Sequence, residues 1–115
     1  MELGLLILFA ITFIVWRLKP AKGIKTISTD HLKDILHDKE KVFPDVRTAG
    51  EYKLRNIRQF TNIPLGGDFT KLPKEKEIIV ICQSGMRSAQ ACKQLKKLGY
   101  ENVTNVRGGM SAWRG

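Results

Sequence analysis

The feature that most constrains this chain is an uninterrupted apolar run, EIIVIC, at residues 77–82. Four consecutive β-branched residues lie between Glu77 and Cys82, and such residues favour an extended backbone. A strand without polar alternation is typical of a parallel sheet that helices cover on both faces. Because short β-prone and helical segments alternate along residues 24–115, the sequence predicts an α/β domain with a mainly parallel sheet flanked by helices.

Turn and capping residues divide this region into predicted elements. A helix is predicted in TISTDHLKDILHD, with Ser28, Thr29 or Asp30 as its N-cap. One or two helical turns are predicted in RTAGEYKLRNI, where Arg47 and Glu51 stand four residues apart and are expected to pair. The predicted strands are KVFPDV, TNIPLG, EIIVIC and VTNV. A further helix is predicted in SAQACKQLKKLGY, beginning around Ser88 and with Gly99 as its C-cap. The last segment, RGGMSAWRG, is predicted to form a Gly-Gly turn and a short helix.

Residues 1–18 form a separate segment. Its stretch LGLLILFAITFIVW carries no charge and has no polar face, unlike an amphipathic surface helix. As a helix, residues 1–18 extend about 27 Å, close to a thin hydrocarbon core. A buried core helix and a cleavable signal peptide are the alternatives, and Glu2 before the run with RLKP after it disfavours the signal peptide. We predict an uncleaved transmembrane anchor at 1–18, a basic tether at 19–23 and the folded domain at 24–115.

The predicted location follows from charge and cysteine content. Four basic residues, Arg17, Lys19, Lys22 and Lys25, follow the apolar segment, and the positive-inside bias then puts the domain on the cytoplasmic side of a single-pass cell-membrane protein. Two cysteines ten residues apart form neither a disulfide framework nor a CxxC or zinc-knuckle pair. The domain is therefore expected in a reducing compartment, with a free thiol.

The formal net charge of +9 leaves two interpretations open. The basic residues either form a solvated surface or attract anions such as lipid headgroups or a small molecule. Nucleic acid is the weakest candidate partner, because no aromatic residues interleave with the basic ones. Neither a metal nor a cofactor is predicted, since His31 and His37 have no other ligand type at a suitable spacing.

The stretch CQSGMRS places Cys82 where the buried strand ends and a helix is about to begin. Backbone N–H groups of such a loop converge with the positive end of the helix. Gly85 permits the unusual dihedral angles of this loop, and Arg87 is expected to attract an anion. A thiol at that point ionises readily and becomes a nucleophile. The alternative is that Cys82 is only a small apolar residue at the end of a core strand.

Together with its surroundings, this stretch resembles the active-site half of a rhodanese domain, a single-domain sulfurtransferase. FPDVRTAGEY resembles the DVR-x-x-x-E-[YF] segment of the family, TNIPL its following strand, and GGMSAW its closing GG-x-x-x-W. The likeness extends in order from residue 24 to residue 115. One departure is RNIRQF, where Asn56 stands in place of the family's usual histidine, a change expected to affect donor preference and rate.

The resemblance implies a rhodanese-like fold with a five-stranded, mainly parallel sheet. It also implies that Cys82 accepts a sulfane sulfur from a donor such as thiosulfate, becomes a persulfide, and passes the sulfur to a thiophilic acceptor. Asp45 and Arg47 are expected to form a structural pair, and the closing motif a turn and packing contacts. The residues expected to surround the sulfur are Gln83, Ser84, Gly85, Met86, Arg87 and Ser88.

Other functions compete with this one. A cysteine phosphatase or arsenate reductase uses a similar loop, but phosphatases have five residues between cysteine and arginine, whereas four separate Cys82 from Arg87 here. A non-catalytic binding module, or a sulfur relay dedicated to one protein thiol, is the other alternative. Cys92 is expected to pack in the core, with a role as a resolving thiol as its alternative.

Overall fold

The structure, a computed structural model, describes residues 23–115. Its helices are α1 (Thr29–Ile35), α2 (Ala49–Leu54), α3 (Met86–Lys97) and α4 (Gly109–Ala112). Its strands are β1 (Ile24–Ile27), β2 (Lys41–Val42), β3 (Pro44–Asp45), β4 (Thr61–Asn62), β5 (Glu77–Val80) and β6 (Val103–Val106). Strands and helices alternate, and the strand pairs are parallel, which confirms the predicted α/β class.

The strands form two sheets. The main sheet has four strands in the order β1-β6-β5-β2, and β3 pairs with β4 in a second sheet of two strands. The predicted five-stranded sheet is therefore wrong. The predicted strand KVFPDV divides into β2 and β3, and a single bridge between Asp45 and Ile81 links the two sheets.

Pro44 explains this division. On both sides of it the chain pairs with the β5 segment in the same register. A continuous parallel ladder would need an N–H group at residue 44 to reach the Ile79 carbonyl oxygen, and proline has no N–H. The Pro44 carbonyl oxygen still accepts a hydrogen bond from the Ile81 N–H at 3.2 Å. The pairing resumes there, next to the cysteine.

The apolar run of β5 contacts a core on each face of the sheet. Ile78 and Val80 belong to one cluster, together with Leu95 of α3. Ile79 and Ile81 belong to the other, together with the residues that α1 and α4 contribute. Because side chains alternate along a strand, only a run without polar residues fills both cores. All four β-branched residues are fully buried.

Local hydrogen bonds decide where the helices begin and end. Ser28, one of three predicted N-caps, accepts a hydrogen bond from the His31 N–H. Helix α3 begins at Met86, two residues before the prediction, because Gly85 takes the N-cap position with φ +102°. At the other end Leu98 is the C-cap and Gly99 follows it, in the left-handed conformation that favours glycine.

The anchor predicted at residues 1–18 lies outside the described residues, as does all of the predicted tether except Gly23. Within residues 23–115, no helix combines the length and the apolar character that a membrane crossing requires.

Candidate functional site

Cys82 lies just beyond the carboxyl end of β5 and is fully buried. The chain turns sharply after it, so that the N–H of Gly85 donates a hydrogen bond to Cys82 Sγ at 3.0 Å. The Ser88 hydroxyl, in the first turn of α3, is 3.3 Å from the same sulfur. The strand thus delivers the thiol to the beginning of α3, as the sequence predicts.

The loop favours the ionised form of the thiol. Burial by itself raises the pKa of Cys82. The Ser88 hydroxyl and the backbone N–H groups of residues 84, 85 and 88 lower the pKa, and the net result lies below the ordinary value. Such donors stabilise negative charge on sulfur, so the arrangement can hold a nucleophilic thiolate.

Helix α4 holds the loop from the other side. Its residue Met110 donates its N–H to the Cys82 carbonyl oxygen at 2.9 Å, and Ser111 does the same for Gln83 at 2.9 Å. A Cβ at Gly109, whose φ is +56°, would lie 2.2 Å from the Cys82 carbonyl oxygen. The Gly-Gly turn is therefore needed for α4 to approach the Cys82 carbonyl oxygen this closely. These contacts occupy the loop's carbonyl oxygens while its N–H groups bind the sulfur.

Asn105 of β6 belongs to the site although sequence reasoning did not single it out. The Ser88 hydroxyl donates to Asn105 Oδ1 at 2.5 Å, and Asn105 Nδ2 donates to the Gly85 carbonyl oxygen at 3.3 Å. The residue thus connects both ends of the turn. Its only sequence signal is its place near the carboxyl end of a strand, where ligands of parallel sheets are bound.

Asp45 and Arg47 form a buried ion pair at the end of β3. Arg47 is 2% exposed and Asp45 0%, and their closest nitrogen–oxygen distance is 2.8 Å. The same guanidinium donates to the carbonyl oxygens of Glu51 in α2 and of Arg55, the C-cap of α2, at 3.2 and 2.6 Å. It also donates to Gln83 Oε1 at 3.4 Å. The pair therefore joins the strand end, α2 and the loop.

The predicted side-chain pair of Arg47 with Glu51 is wrong. Asp45 is the partner of Arg47. The Glu51 carboxylate instead accepts hydrogen bonds from both terminal nitrogens of Arg87, at 2.7 and 2.9 Å. The Thr48 N–H and hydroxyl also donate to this carboxylate, which completes a capping box at the start of α2. Arg87 and then the Thr48 N–H lower the pKa of Glu51 to about 2.

The remaining predicted loop residues differ in exposure. Met86 is 77% exposed, and Ser84 is also exposed. Gln83 is half-buried, and its Nε2 donates to the Ser111 hydroxyl at 3.1 Å. Asn56 is exposed and donates to the Tyr52 carbonyl oxygen at 2.9 Å, so its side chain binds the end of α2.

Cys92 lies on α3 among apolar residues and is fully buried. Burial first, and then the charge of Cys82, raises the pKa of its thiol to about 12. It is therefore a neutral thiol at physiological pH, in keeping with a packing role. Both cysteines are free thiols.

Comparisons with known proteins agree with the fold. The model of the family described as "Rhodanese-like domain" matches residues 28–115. YtwF of Bacillus subtilis, whose name marks it as a candidate sulfurtransferase, is 44% identical over 96 residues, which cover 80% of this chain and 92% of that protein. A protein of Allochromatium vinosum named sulfurtransferase is 34% identical over 94 residues, covering 78% and 88%. The crystal structure of a rhodanese-like domain protein from Staphylococcus aureus superposes with a TM-score of 0.72, at 33% identity, covering 78% and 91%.

Proposed function

The chain belongs to the rhodanese-like domain family, and we propose that it is a sulfurtransferase that carries sulfur on Cys82. In the first step the Cys82 thiolate attacks the outer sulfur of a sulfane donor such as thiosulfate. The sulfur–sulfur bond of the donor breaks and sulfite leaves with the electron pair. In the second step a thiophilic acceptor such as cyanide or a thiolate attacks the outer sulfur of the persulfide, and the Cys82 thiolate is regenerated.

One observation carries the proposal: the N–H of Gly85 and the hydroxyl of Ser88 both lie within hydrogen-bonding distance of Cys82 Sγ. Donors fixed before the reaction stabilise charge without reorganising during it. A thiolate and a persulfide each carry one negative charge, so the same donors serve both states of the cycle. The names of the two relatives support sulfur transfer in general.

The phosphatase and arsenate reductase alternative receives less support. Transfer of a phosphoryl group depends on cations that neutralise its oxygens. Here the loop guanidinium, Arg87, already binds the Glu51 carboxylate through two nitrogens. The four residues between Cys82 and Arg87 also close a smaller ring of N–H groups than a phosphatase loop has.

A protein acceptor remains the main alternative to a small one. Met86 is 77% exposed in the loop itself, and Leu54, at the end of the neighbouring α2, is 90% exposed. Exposed apolar side chains on the loop and on the helix that binds Arg87 suit contact with another protein. A relay module of this kind would load sulfur on Cys82 but release it slowly to cyanide.

We also propose that residues 1–18 anchor the protein in the cell membrane, with the domain on the cytoplasmic side. The uncharged run LGLLILFAITFIVW and the basic residues after it support this location. Fractionation of cells that express the full chain, or a variant lacking residues 1–18, tests it. Recovery of the full chain in the soluble fraction would refute the anchor.

Sulfur loading tests the function. The full chain is incubated with thiosulfate, and intact mass is measured for the wild type, Cys82→Ala and the matched control Cys92→Ala. The wild type and the control are expected to gain the mass of one sulfur atom and to form thiocyanate with cyanide, whereas Cys82→Ala does neither. Thiocyanate formation by Cys82→Ala at the wild-type rate would refute the catalytic assignment. Hydrolysis of an aryl phosphate faster than sulfur transfer would favour the phosphatase.

A further inference from the structure

The loop carries a single basic side chain, and a neighbouring helix neutralises it. Within CQSGMRS the only such residue is Arg87. Its two terminal nitrogens bind the Glu51 carboxylate of α2, at 2.7 and 2.9 Å. Because the pKa of Glu51 is about 2, this carboxylate is ionised throughout the physiological range. The guanidinium therefore brings no net charge to the loop.

The contacts of Arg47 hold α2 against the loop. Arg47 binds Asp45 in a balanced, buried pair and donates both to the Glu51 carbonyl oxygen, at 3.2 Å, and to Gln83 Oε1, at 3.4 Å. One side chain thus bridges α2 and the loop residue next to the cysteine. Arg55, the C-cap of α2, directs its guanidinium to the carbonyl oxygens of residues 110 and 113.

The charge balance limits what an incoming donor can carry. The loop holds an anion mainly through neutral N–H dipoles, while the Cys82 thiolate already places one negative charge among them. Like charges repel more strongly in a partly buried site than in water. Each additional negative charge on the donor therefore opposes its approach to the sulfur.

We propose that Glu51 determines donor specificity: by neutralising Arg87, it selects sulfane donors with one negative charge or none over dianions such as thiosulfate. The inference rests on the proposed sulfur transfer through Cys82 and names the donor class for that site. Suitable donors are organic persulfides and thiosulfonates. The Cys82 thiolate attacks their outer sulfur, the sulfur–sulfur bond breaks, and the electron pair leaves with the organic thiolate or sulfinate.

Two donors that differ in charge provide the test. Thiosulfate is a dianion and benzenethiosulfonate a monoanion, and both deliver one sulfane sulfur. Rates are measured with cyanide as acceptor, on the full chain, and expressed as kcat/KM for each donor. Comparing how a variant changes the two values removes the difference in intrinsic reactivity between the donors.

Glu51→Gln leaves the positive charge of Arg87 unbalanced while a glutamine can still complete the capping box of α2. A partly exposed ion pair typically changes an equilibrium or rate about threefold, and we apply this factor to each unit of charge on the donor. In Glu51→Gln, kcat/KM should therefore rise about threefold for the monoanion and about tenfold for the dianion thiosulfate. Glu101→Gln is the matched control, because it removes one exposed carboxylate from the residues before the amino end of β6, whereas Cys82 follows the carboxyl end of the parallel strand β5. It should leave the ratio of the two values unchanged.

The double variant Glu51→Gln/Arg87→Gln separates charge from structure. Its site has the same net charge as the wild type, so the donor ratio should return toward the wild-type value even if both rates fall. Equal changes for the two donors in Glu51→Gln would overturn the inference, as would an altered ratio in the double variant. Failure of both donors to load sulfur on Cys82 would overturn the proposed function, and the inference with it.

Discussion

Replacing Ser88 by alanine should make Cys82 a weaker acid and a slower nucleophile. The Ser88 hydroxyl lies 3.3 Å from Cys82 Sγ, and both residues are fully buried, so no solvent donor substitutes for it. A hydrogen bond to a charged group contributes about 1.5 kcal/mol, which corresponds to about a tenfold shift of the equilibrium from thiolate to thiol. Alanine itself fits the space, because the change removes one oxygen atom.

The assay is the pH dependence of alkylation of Cys82 by iodoacetamide, followed by peptide mass. At each pH below the pKa of the wild-type Cys82 thiol, we expect Ser88→Ala to react about tenfold more slowly than the wild type. Ser84→Ala is the matched control: Ser84 is exposed and acts through its backbone N–H, which alanine retains. Its alkylation profile should coincide with that of the wild type.

Replacing Asn105 by alanine should change the alkylation rate of Cys82 in the opposite direction. The single proton of the Ser88 hydroxyl has two acceptors, Asn105 Oδ1 at 2.5 Å and Cys82 Sγ at 3.3 Å. In Asn105→Ala the sulfur becomes the sole acceptor, so alkylation should become faster. Two results would show that the Ser88 hydroxyl does not stabilise the thiolate. One is an alkylation profile of Ser88→Ala that coincides with that of the wild type. The other is an Asn105→Ala variant whose alkylation is slowed as much as that of Ser88→Ala.

Three further predictions concern stability and reactivity. Gly109→Ala should lower the free energy of unfolding by about 3 kcal/mol, measured in urea, because its Cβ meets the Cys82 carbonyl oxygen at a positive φ; an unchanged midpoint would contradict the close approach. Asp45→Ala should cost about 3–5 kcal/mol, because it leaves the Arg47 guanidinium buried without its anion, while Asp45→Asn should cost less. Folding lowers the pKa of Glu51 from 4.5 to about 2, so its ion pair stabilises the fold above pH 4.5 and is lost as the pH falls through 2. After allowance for solvent screening, Glu51→Gln should remove about 1 kcal/mol at pH 7 and only a small part of that at pH 2, a difference that thermal unfolding at both pH values measures.

The parts of the fold that depend on local sequence could be predicted. The run EIIVIC predicted a strand buried on both faces, and Ile78 and Ile79 indeed lie in opposite cores. A glycine between that strand and a helical pattern indicated the turn, and the turn brings Gly85 and Ser88 to the sulfur. These features depend on residues that are close together in the sequence, which is the range over which periodicity and capping act.

The features that the sequence did not predict depend on contacts between segments that are distant along the chain. Spacing within one helix predicted that Glu51 pairs with Arg47, but a carboxylate on the preceding strand end competes for that arginine, and Arg87 arrives from 36 positions away. Asn105 likewise meets Ser88 only because β5 and β6 are neighbours. The division of the sheet at Pro44 depends on a hydrogen bond that proline cannot make, and the strand pattern KVFPDV does not reveal which neighbour that bond would serve.

Contact with both cores also determines how the strand that leads to Cys82 fluctuates. An element packed on both faces exchanges its amide hydrogens only when the whole domain unfolds, whereas helix ends and exposed loops open locally. The amides of Ile79 and Val80 should therefore be among the slowest to exchange with deuterium in this domain. A sulfur atom carried at the end of such a strand should therefore keep its position while helix ends and exposed loops open locally.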